Sequence, residues 1–104
     1  MRLVRLEDEI RKTKQLLLEL GDMRPGHLSK QMRKAKEKYG AYWQLSYTHK
    51  GKGRTEYIRP EALKQVKTEV ANYKRYRQLT DRLLKLSIEK SRLKMKLGKR
   101  TSSP

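Results

Sequence analysis

Residues 41–59 carry the pattern that most restricts how this chain can fold. Aromatic and β-branched side chains alternate with polar ones on both sides of a gap that contains glycine. The first run reads Ala-Tyr-Trp-Gln-Leu-Ser-Tyr-Thr, the gap His-Lys-Gly-Lys-Gly, and the second run Arg-Thr-Glu-Tyr-Ile-Arg. This pattern predicts a two-stranded β-hairpin with a five-residue loop. No other stretch of the sequence has the pattern of a strand.

The two faces of this hairpin should have different surroundings, because successive side chains on a strand point to opposite sides. An isolated hairpin is marginally stable in water, so one face must pack on the helical segments before and after it. We expect Trp43, Leu45 and Ile58 to supply that packing, since a small domain needs large apolar anchors. Tyr42 should then be the exposed aromatic residue.

The first 21 residues predict a helix with a coiled-coil seam that ends at Gly21. Its apolar positions recur at alternating spacings of three and four residues: Leu3, Leu6, Ile10, Thr13, Leu17 and Leu20. Both a helix that packs within its own chain and a helix that forms a dimer have this spacing, so the two alternatives stay open.

Residues 24–40 predict a turn followed by a short basic helix. Pro25 and Gly26 interrupt the chain, and an apolar stripe follows at spacings of four, three and four before Gly40: Leu28, Met32, Ala35 and Tyr39. The other positions hold five cations against the single acid Glu37: Lys30, Arg33, Lys34, Lys36 and Lys38. This excess of charge favours contact with phosphates.

A long helix is predicted from Pro60 to about Leu97, because proline is favoured at the first helical position. Its first part should pack on the hairpin through one apolar stripe: Leu63, Val66, Val70 and Tyr73. A step of three residues to Tyr76 then begins a second stripe, which should form a stalk with the first helix: Leu79, Leu83, Leu86, Lys90, Leu93 and Leu97. Lys90 is the polar residue of this seam, a type that can fix register.

These elements predict a single mainly α domain of the α+β class, residues 1–104, with one β-hairpin and a coiled-coil-like stalk. Its parts are a stalk helix at 1–21, a turn and short basic helix at 24–40, the hairpin at 41–59, the long helix at 60–97, and a flexible basic tail at 98–104.

Positive charge is the main indication of a partner. The chain has 28 lysines and arginines against 11 acidic residues, for a net charge of +17. Residues 1–23 are balanced at five of each, whereas residues 24–59 have ten basic and two acidic residues. An excess of this size repels itself, which favours a polyanionic partner, and nucleic acid is the expected one. DNA and RNA both fit.

The hairpin loop presents cations beside glycines, where the backbone can approach a phosphate closely. Gln44 or Arg54 could reach base edges, and Tyr42 could stack on an unpaired base. A second basic region lies near the C-terminus. The predicted nucleic-acid-binding residues are Lys30, Arg33, Lys34, Lys36, Lys38, Tyr42, Gln44, Lys50, Lys52, Arg54, Arg59, Lys94, Lys96, Lys99 and Arg100.

The sequence offers no support for catalysis. His27 and His49 each lack a second ligand at metal-binding spacing, and the chain has no cysteine. We therefore expect no catalytic residues, no metal, no cofactor and no small-molecule substrate. The longest apolar run near the N-terminus is Leu16-Leu17-Leu18, which argues against a signal peptide or a membrane span. An intracellular protein of the cytoplasm or nucleoid is expected.

Five short motifs follow one another along the chain: Pro-Gly-x-Leu at 25–28, Gly-x-Tyr-Trp-x-Leu-Ser-Tyr at 40–47, Gly-Lys-x-Arg at 51–54, Tyr-Ile-x-Pro-Glu at 57–61 and Val-x-x-Tyr-x-x-x-Arg at 70–77. In this order they resemble a family of small prokaryotic domains of unknown function that is often found with transposases and other mobile elements. The resemblance covers about residues 24–97. Members usually carry a cysteine cluster before the Tyr-Trp strand, which this chain lacks, so no zinc role is carried over.

The sequence therefore predicts a non-catalytic nucleic-acid-binding protein, an accessory of a mobile element or of a nucleic-acid-guided complex. The alternative is a coiled-coil adaptor, whose leucine seams bind a partner protein with an acidic surface or a second copy of the chain.

Overall fold

The computed structural model describes residues 2–32 and 41–101 and confirms the α+β class. Two α-helices, α1 at Arg2–Leu18 and α2 at Leu63–Thr101, flank three strands, β1 at His27–Met32, β2 at Ala41–His49 and β3 at Lys52–Ile58. A short 3-10 helix at Pro60–Ala62 leads into α2. The predicted long helix is thus present, and it continues past Leu97 into the first residues of the predicted tail.

The strands form one antiparallel sheet in the order β1-β2-β3, so the predicted hairpin is part of a larger sheet. The central strand β2 pairs Leu45 with Leu28 of β1 and with Glu56 of β3. The prediction of two strands was therefore wrong by one.

Strand β1 replaces the beginning of the predicted basic helix. Leu28 and Met32 are four residues apart, a spacing that fits one face of a helix and also one face of a strand. In the structure this segment is a strand because residues 27–32 pair with β2 along their whole length. Ala35 and Tyr39, the remaining stripe residues of that predicted helix, lie outside the described residues.

The hairpin turn is shorter than predicted. His49 pairs with Lys52, which leaves only Lys50 and Gly51 in the turn, with φ angles of 52° and 78°. Positive φ at both positions is the signature of a type I′ turn, whose twist matches that of the flanking strands. Gly53, expected in the loop, pairs instead with Thr48 in the sheet.

The chain divides into two compact units, residues 21–74 and residues 1–20 together with 75–104. In the first, the sheet packs on the beginning of α2, and the buried core is Leu45, Ile58, Val66 and Val70. The segment before β1 is tied to the same helix, because the Arg24 backbone N–H donates to the Glu69 carbonyl at 3.0 Å. Asn72 Nδ2 likewise donates to the Asp22 carbonyl at 2.8 Å.

The second unit contains α1 and the later part of α2. The predicted α1 seam is confirmed as far as Leu17: Leu6, Ile10 and Thr13 are buried, and Leu3 and Leu17 are half-buried. The helix ends at Leu18, before the predicted end at Gly21, so the half-buried Leu20 lies just beyond it. Thr13 is tolerated there because its hydroxyl donates to the Glu9 carbonyl at 2.8 Å. Lys90, the polar residue of the α2 seam, lies 3.9 Å from the Glu7 carboxylate through its Nζ. Arg2 and Glu89 form another ion pair within this unit.

Candidate nucleic-acid interface

The two faces of the sheet have different compositions. The inner face, defined as the side of Leu45, packs Leu28, Trp43 and Tyr47 against the core residues of α2. The outer face is the opposite side of the sheet. The strand register shows that none of the residues that the three strands contribute to this face is lysine, arginine, aspartate or glutamate. The residues of the outer face are His27, Ser29, Gln31, Tyr42, Gln44, Ser46, Thr48, Gly53, Thr55 and Tyr57.

Three cations gather at the end of the hairpin and are called here the tip cluster: Lys50, Lys52 and Arg54. All three are exposed, and none forms an ion pair with any residue that the structure describes. Lys50 occupies the first position of the turn with a φ of 52°, a conformation that costs a non-glycine residue about 1 kcal/mol. Lys52 and Arg54 alternate with Gly53, so they project on the side of the sheet that also carries Tyr47.

Glu56 is the only acidic residue in the three strands, and it is already engaged with another cation. Its Oε1 accepts from Arg24 Nη2 at 2.8 Å and from the Tyr47 hydroxyl at 3.3 Å. The Arg24 guanidinium lies 5.0 Å from the centre of the Tyr47 ring. The hydrogen bond from Arg24 holds the pKa of the Glu56 carboxyl below its usual range and raises the pKa of Arg24. The three strands therefore offer no further carboxylate to compensate the charge of the tip cluster.

A second basic location lies around Trp43 on the inner face. Lys67 Nζ of α2 is 4.7 Å from the Trp43 ring centre, within the range of a cation–π interaction. Lys30 is exposed and pairs with Trp43 across β1 and β2. Lys30 is thus separated along the strands from the tip cluster, which lies at the turn between β2 and β3.

The remaining predicted residues are dispersed. Tyr42 and Gln44 are half-buried on the outer face. Arg54 lies on the inner side of the sheet, so Gln44 and Arg54 are not placed to contact the same base edges. Arg59 is exposed and extended after β3, with φ −64° and ψ 146°. Lys94 and Lys96 are exposed on α2, in the other compact unit, and Lys99 and Arg100 belong to the same helix. Arg33, Lys34, Lys36 and Lys38 lie outside the described residues.

Tyr57 is an exposed aromatic residue that the sequence-based prediction of the site did not include, whereas Tyr42, which was predicted to be the exposed one, is half-buried. It is 56% exposed on the outer face, and its ring centre lies 6.2 Å from that of Tyr42 with the two planes inclined by 47°. The signal was present in the sequence: if Ile58 points to the core, the residue before it must point away. Tyr57 faces Gln44 directly, and Tyr42 is its diagonal neighbour on the same face.

Two kinds of feature are absent from the part of the chain that the structure describes. Residues 2–32 and 41–101 contain no cluster of three or more histidine, cysteine, aspartate or glutamate side chains arranged to hold a metal ion. The same residues contain no helix that is both long and apolar enough to cross a membrane.

The chain belongs to the family described as "Domain of unknown function (DUF6788)", whose sequence model matches residues 3–68. The match begins within α1, continues through all three strands and ends in the first turns of α2. It therefore includes the first helix, which the resembling motifs do not reach. No curated protein and no solved structure shows significant similarity to the chain.

Proposed function

We propose that this protein binds nucleic acid without catalysing a reaction, and that the tip cluster contacts phosphates. One observation carries the proposal: three exposed cations stand at the end of the hairpin while the only strand carboxylate, Glu56, is paired with Arg24. Like charges held close together without a counter-ion repel one another, and a polyanion relieves that repulsion. Neutralising phosphates also releases condensed counter-ions, which favours binding at low salt.

The conformation of Lys50 gives further support. A type I′ turn favours asparagine or glycine at its first central position, yet a lysine stands there with a φ of 52°. The turn thus accepts a backbone cost of about 1 kcal/mol and gains a cation at the point of the hairpin furthest from the core. Gly51 beside it adds no side chain that would hold a phosphate away from the backbone.

The test is a salt series with fluorescently labelled duplex DNA and structured RNA. We expect affinity to fall steeply as salt rises. A triple variant, Lys50→Glu, Lys52→Glu and Arg54→Glu, should bind more weakly and lose about one unit of salt slope per cation. The matched control reverses Lys14, Lys64 and Lys74, which are exposed helical residues, and changes the net charge by the same amount.

Three results would contradict the proposal. The wild-type protein could fail to bind either nucleic acid, it could bind with an affinity indifferent to salt, or the control could lose as much affinity as the tip variant. Circular dichroism of both triple variants should match the wild type, because none of the substituted side chains is buried. Incubation of labelled DNA and RNA with Mg²⁺ should leave both uncut, and cleavage would overturn the non-catalytic part of the proposal.

We extend the proposal to an intracellular accessory of a mobile element or of a nucleic-acid-guided complex. The support is the resemblance of the motifs at 25–28, 40–47 and 51–61 to domains found with transposases. Sequencing the nucleic acid that co-purifies with the tagged protein from its own host tests this context. Enrichment of mobile-element sequence is the expected result, and a sample indistinguishable from total cellular nucleic acid is the contrary one.

A second candidate function is an adaptor that binds a helical partner with an acidic surface. The observation in its favour is a row of exposed apolar residues on α2, with Leu84 at 60%, Ile88 at 46% and Met95 at 69% exposure. Their spacings of four and seven residues place them on one stripe of the helix. An adaptor should retain its partner after reversal of the tip cluster, whereas a nucleic-acid-binding protein should lose its ligand.

A further inference from the structure

We propose that the outer face of the sheet is a stacking platform for the bases of single-stranded nucleic acid, formed by Tyr57 and Tyr42. This inference rests on the proposed function and specifies the form of nucleic acid that the protein prefers. Its basis is the set of residues on the outer face, and it gives a role to Tyr57, which is not part of the tip cluster.

The first argument is the exposure of a large aromatic side chain. Tyr57 is 56% exposed, whereas its neighbour Ile58 is 5% exposed and belongs to the core. A tyrosine on the inner side of the sheet, Tyr47, packs against that core and donates to Glu56. The ring of Tyr57 instead contacts Tyr42, its diagonal neighbour, with 6.2 Å between the ring centres. Neighbouring aromatic rings on a sheet face, with the ring of Tyr57 exposed, are the kind of arrangement on which unpaired bases stack.

The second argument is the kind of group that surrounds the two rings. Gln44 lies directly opposite Tyr57, and Gln31 lies directly opposite Tyr42. Amide side chains both donate and accept hydrogen bonds, as the edges of bases do. The strands contribute no lysine or arginine to this face, so it suits bases better than it suits the phosphates of a duplex.

The third argument is charge complementarity at the end of the platform. Arg59 directly follows the last paired residue of β3 and has an extended backbone, with φ −64° and ψ 146°. Alternation along the strand therefore places Arg59 on the same side as Tyr57, and continuing the register by one residue sets it opposite Tyr42. Arg59 is exposed and forms no ion pair with another described residue. A guanidinium at this position can take the phosphate of a nucleotide whose base lies on the rings.

A duplex cannot use such a platform, because its bases are already stacked on one another and present only their edges in the grooves. Single strands offer free base faces, which stack on aromatic side chains with little dependence on sequence. The protein should therefore bind single-stranded DNA or RNA more tightly than a duplex of the same sequence.

The test compares labelled single-stranded oligonucleotides with the matching duplexes, using Tyr57→Ala, Tyr57→Leu, Tyr57→Phe and Tyr42→Ala. Removing a ring should weaken single-strand binding about 5- to 150-fold. The leucine variant should lose nearly as much as the alanine variant because it keeps apolar bulk without a ring, while phenylalanine should restore most of the affinity. The salt slope should not change, since no cation is removed.

The single tryptophan, Trp43, reports on folding in the same samples, because it lies on the inner face. Its emission should be the same in all the Tyr57 variants. Equal affinity for single strand and duplex, or equal binding by the Tyr57→Leu and Tyr57→Phe variants, would overturn the stacking platform and leave the proposed function standing. Failure of the wild-type protein to bind any nucleic acid would overturn both.

Discussion

The inner and outer faces of the sheet are built from the same strands but have opposite environments. On β2, Leu45 is fully buried against α2, while the residue on either side of it, Gln44 or Ser46, points to the other face. On β3, Ile58 belongs to the core and Tyr57 is more than half exposed. Alternation thus gives neighbouring residues different surroundings, so substitutions that affect stability should be separable from those that affect the proposed binding of nucleic acid.

The largest expected difference between the faces is at the centre of β2. Leu45→Ala should lower the free energy of unfolding by about 2–5 kcal/mol, because it removes a fully buried side chain and leaves a cavity. Gln44→Ala, one residue away on the outer face, should change it by less than about 0.5 kcal/mol. Urea denaturation followed by Trp43 fluorescence measures both. Similar losses in the two variants would contradict the assignment of the faces.

A smaller effect is expected where the chain crosses close to the inner face. Gly26 has a φ of 139°, and an added Cβ would lie 2.7 Å from Leu45 Cδ1 and 3.0 Å from the Ser46 carbonyl oxygen. Gly26→Ala should therefore destabilise the protein by about 1–3 kcal/mol, through backbone strain and overlap together. The matched control is Gly53→Ala on the outer face, where the new Cβ would have no described residue other than its chain neighbours within 4 Å.

The control should shift the urea midpoint very little, because alanine at position 53 neither overlaps a neighbour nor requires a positive φ. If Gly53→Ala destabilised the protein as much as Gly26→Ala, close packing on the inner face would not be the reason that position 26 needs glycine.

The smallest effect concerns Glu56, the carboxylate that Arg24 engages. Its pKa is lowered in the folded state, so its contribution to stability is present above the usual glutamate value of 4.5 and is lost as the pH falls through the lower, folded value. Because the side chain is 46% exposed, this contribution should stay below about 1 kcal/mol. Glu56→Gln should therefore be slightly less stable than the wild type at about pH 7, with the difference disappearing as the pH falls through the lowered pKa of Glu56.

Unfolding in urea at several pH values measures this difference. The contrasting variant is Thr55→Val on the outer face, whose offset from the wild type should be independent of pH because threonine does not titrate. A Glu56→Gln offset that stayed constant throughout the acid range would mean that the ion pair with Arg24 contributes nothing to stability.

Much of the fold could be predicted from the spacing of apolar residues. Every predicted position of the first seam is buried or half-buried. This could be predicted because alternating spacings of three and four residues along a whole segment fit one face of a helix and do not fit a strand. The hairpin was also evident, since a two-residue period with aromatic and β-branched side chains favours strands. In each case the local pattern and the final packing agree.

Strand β1 could not be recognised in the same way. Its sequence, His-Leu-Ser-Lys-Gln-Met, has only two apolar residues, and their spacing of four satisfies both a helix and a strand. It is a strand because it forms hydrogen bonds to β2. This pairing is a tertiary contact, and the sequence of the six residues alone does not indicate it. The turn was misjudged for a related reason, because Gly53 resembles a loop residue although it pairs in the ladder.

The positive charge of the candidate site could be predicted from the sequence, but the side of the sheet on which each of its residues lies could not. The two lysines and the arginine of the tip cluster are evident from the sequence alone. The separation of Arg54 from Gln44 depends on which side of the sheet α2 covers, and the pairing of Glu56 with Arg24 joins residues 32 positions apart. Tyr57 needed only the assumption that Ile58 is buried.

The described sheet has two edge strands, β1 and β3. Each has one row of backbone N–H and C=O groups that form no hydrogen bond to another strand of this sheet. Such rows invite pairing with a second molecule, and charged side chains along them are a common protection against fibrous self-association. We expect this protection from Lys30 on β1 and from Lys52 and Arg54 on β3. A chain stripped of these cations by neutral apolar replacements should lose its protection against aggregation, and it should do so even if the proposed contact with phosphates were absent.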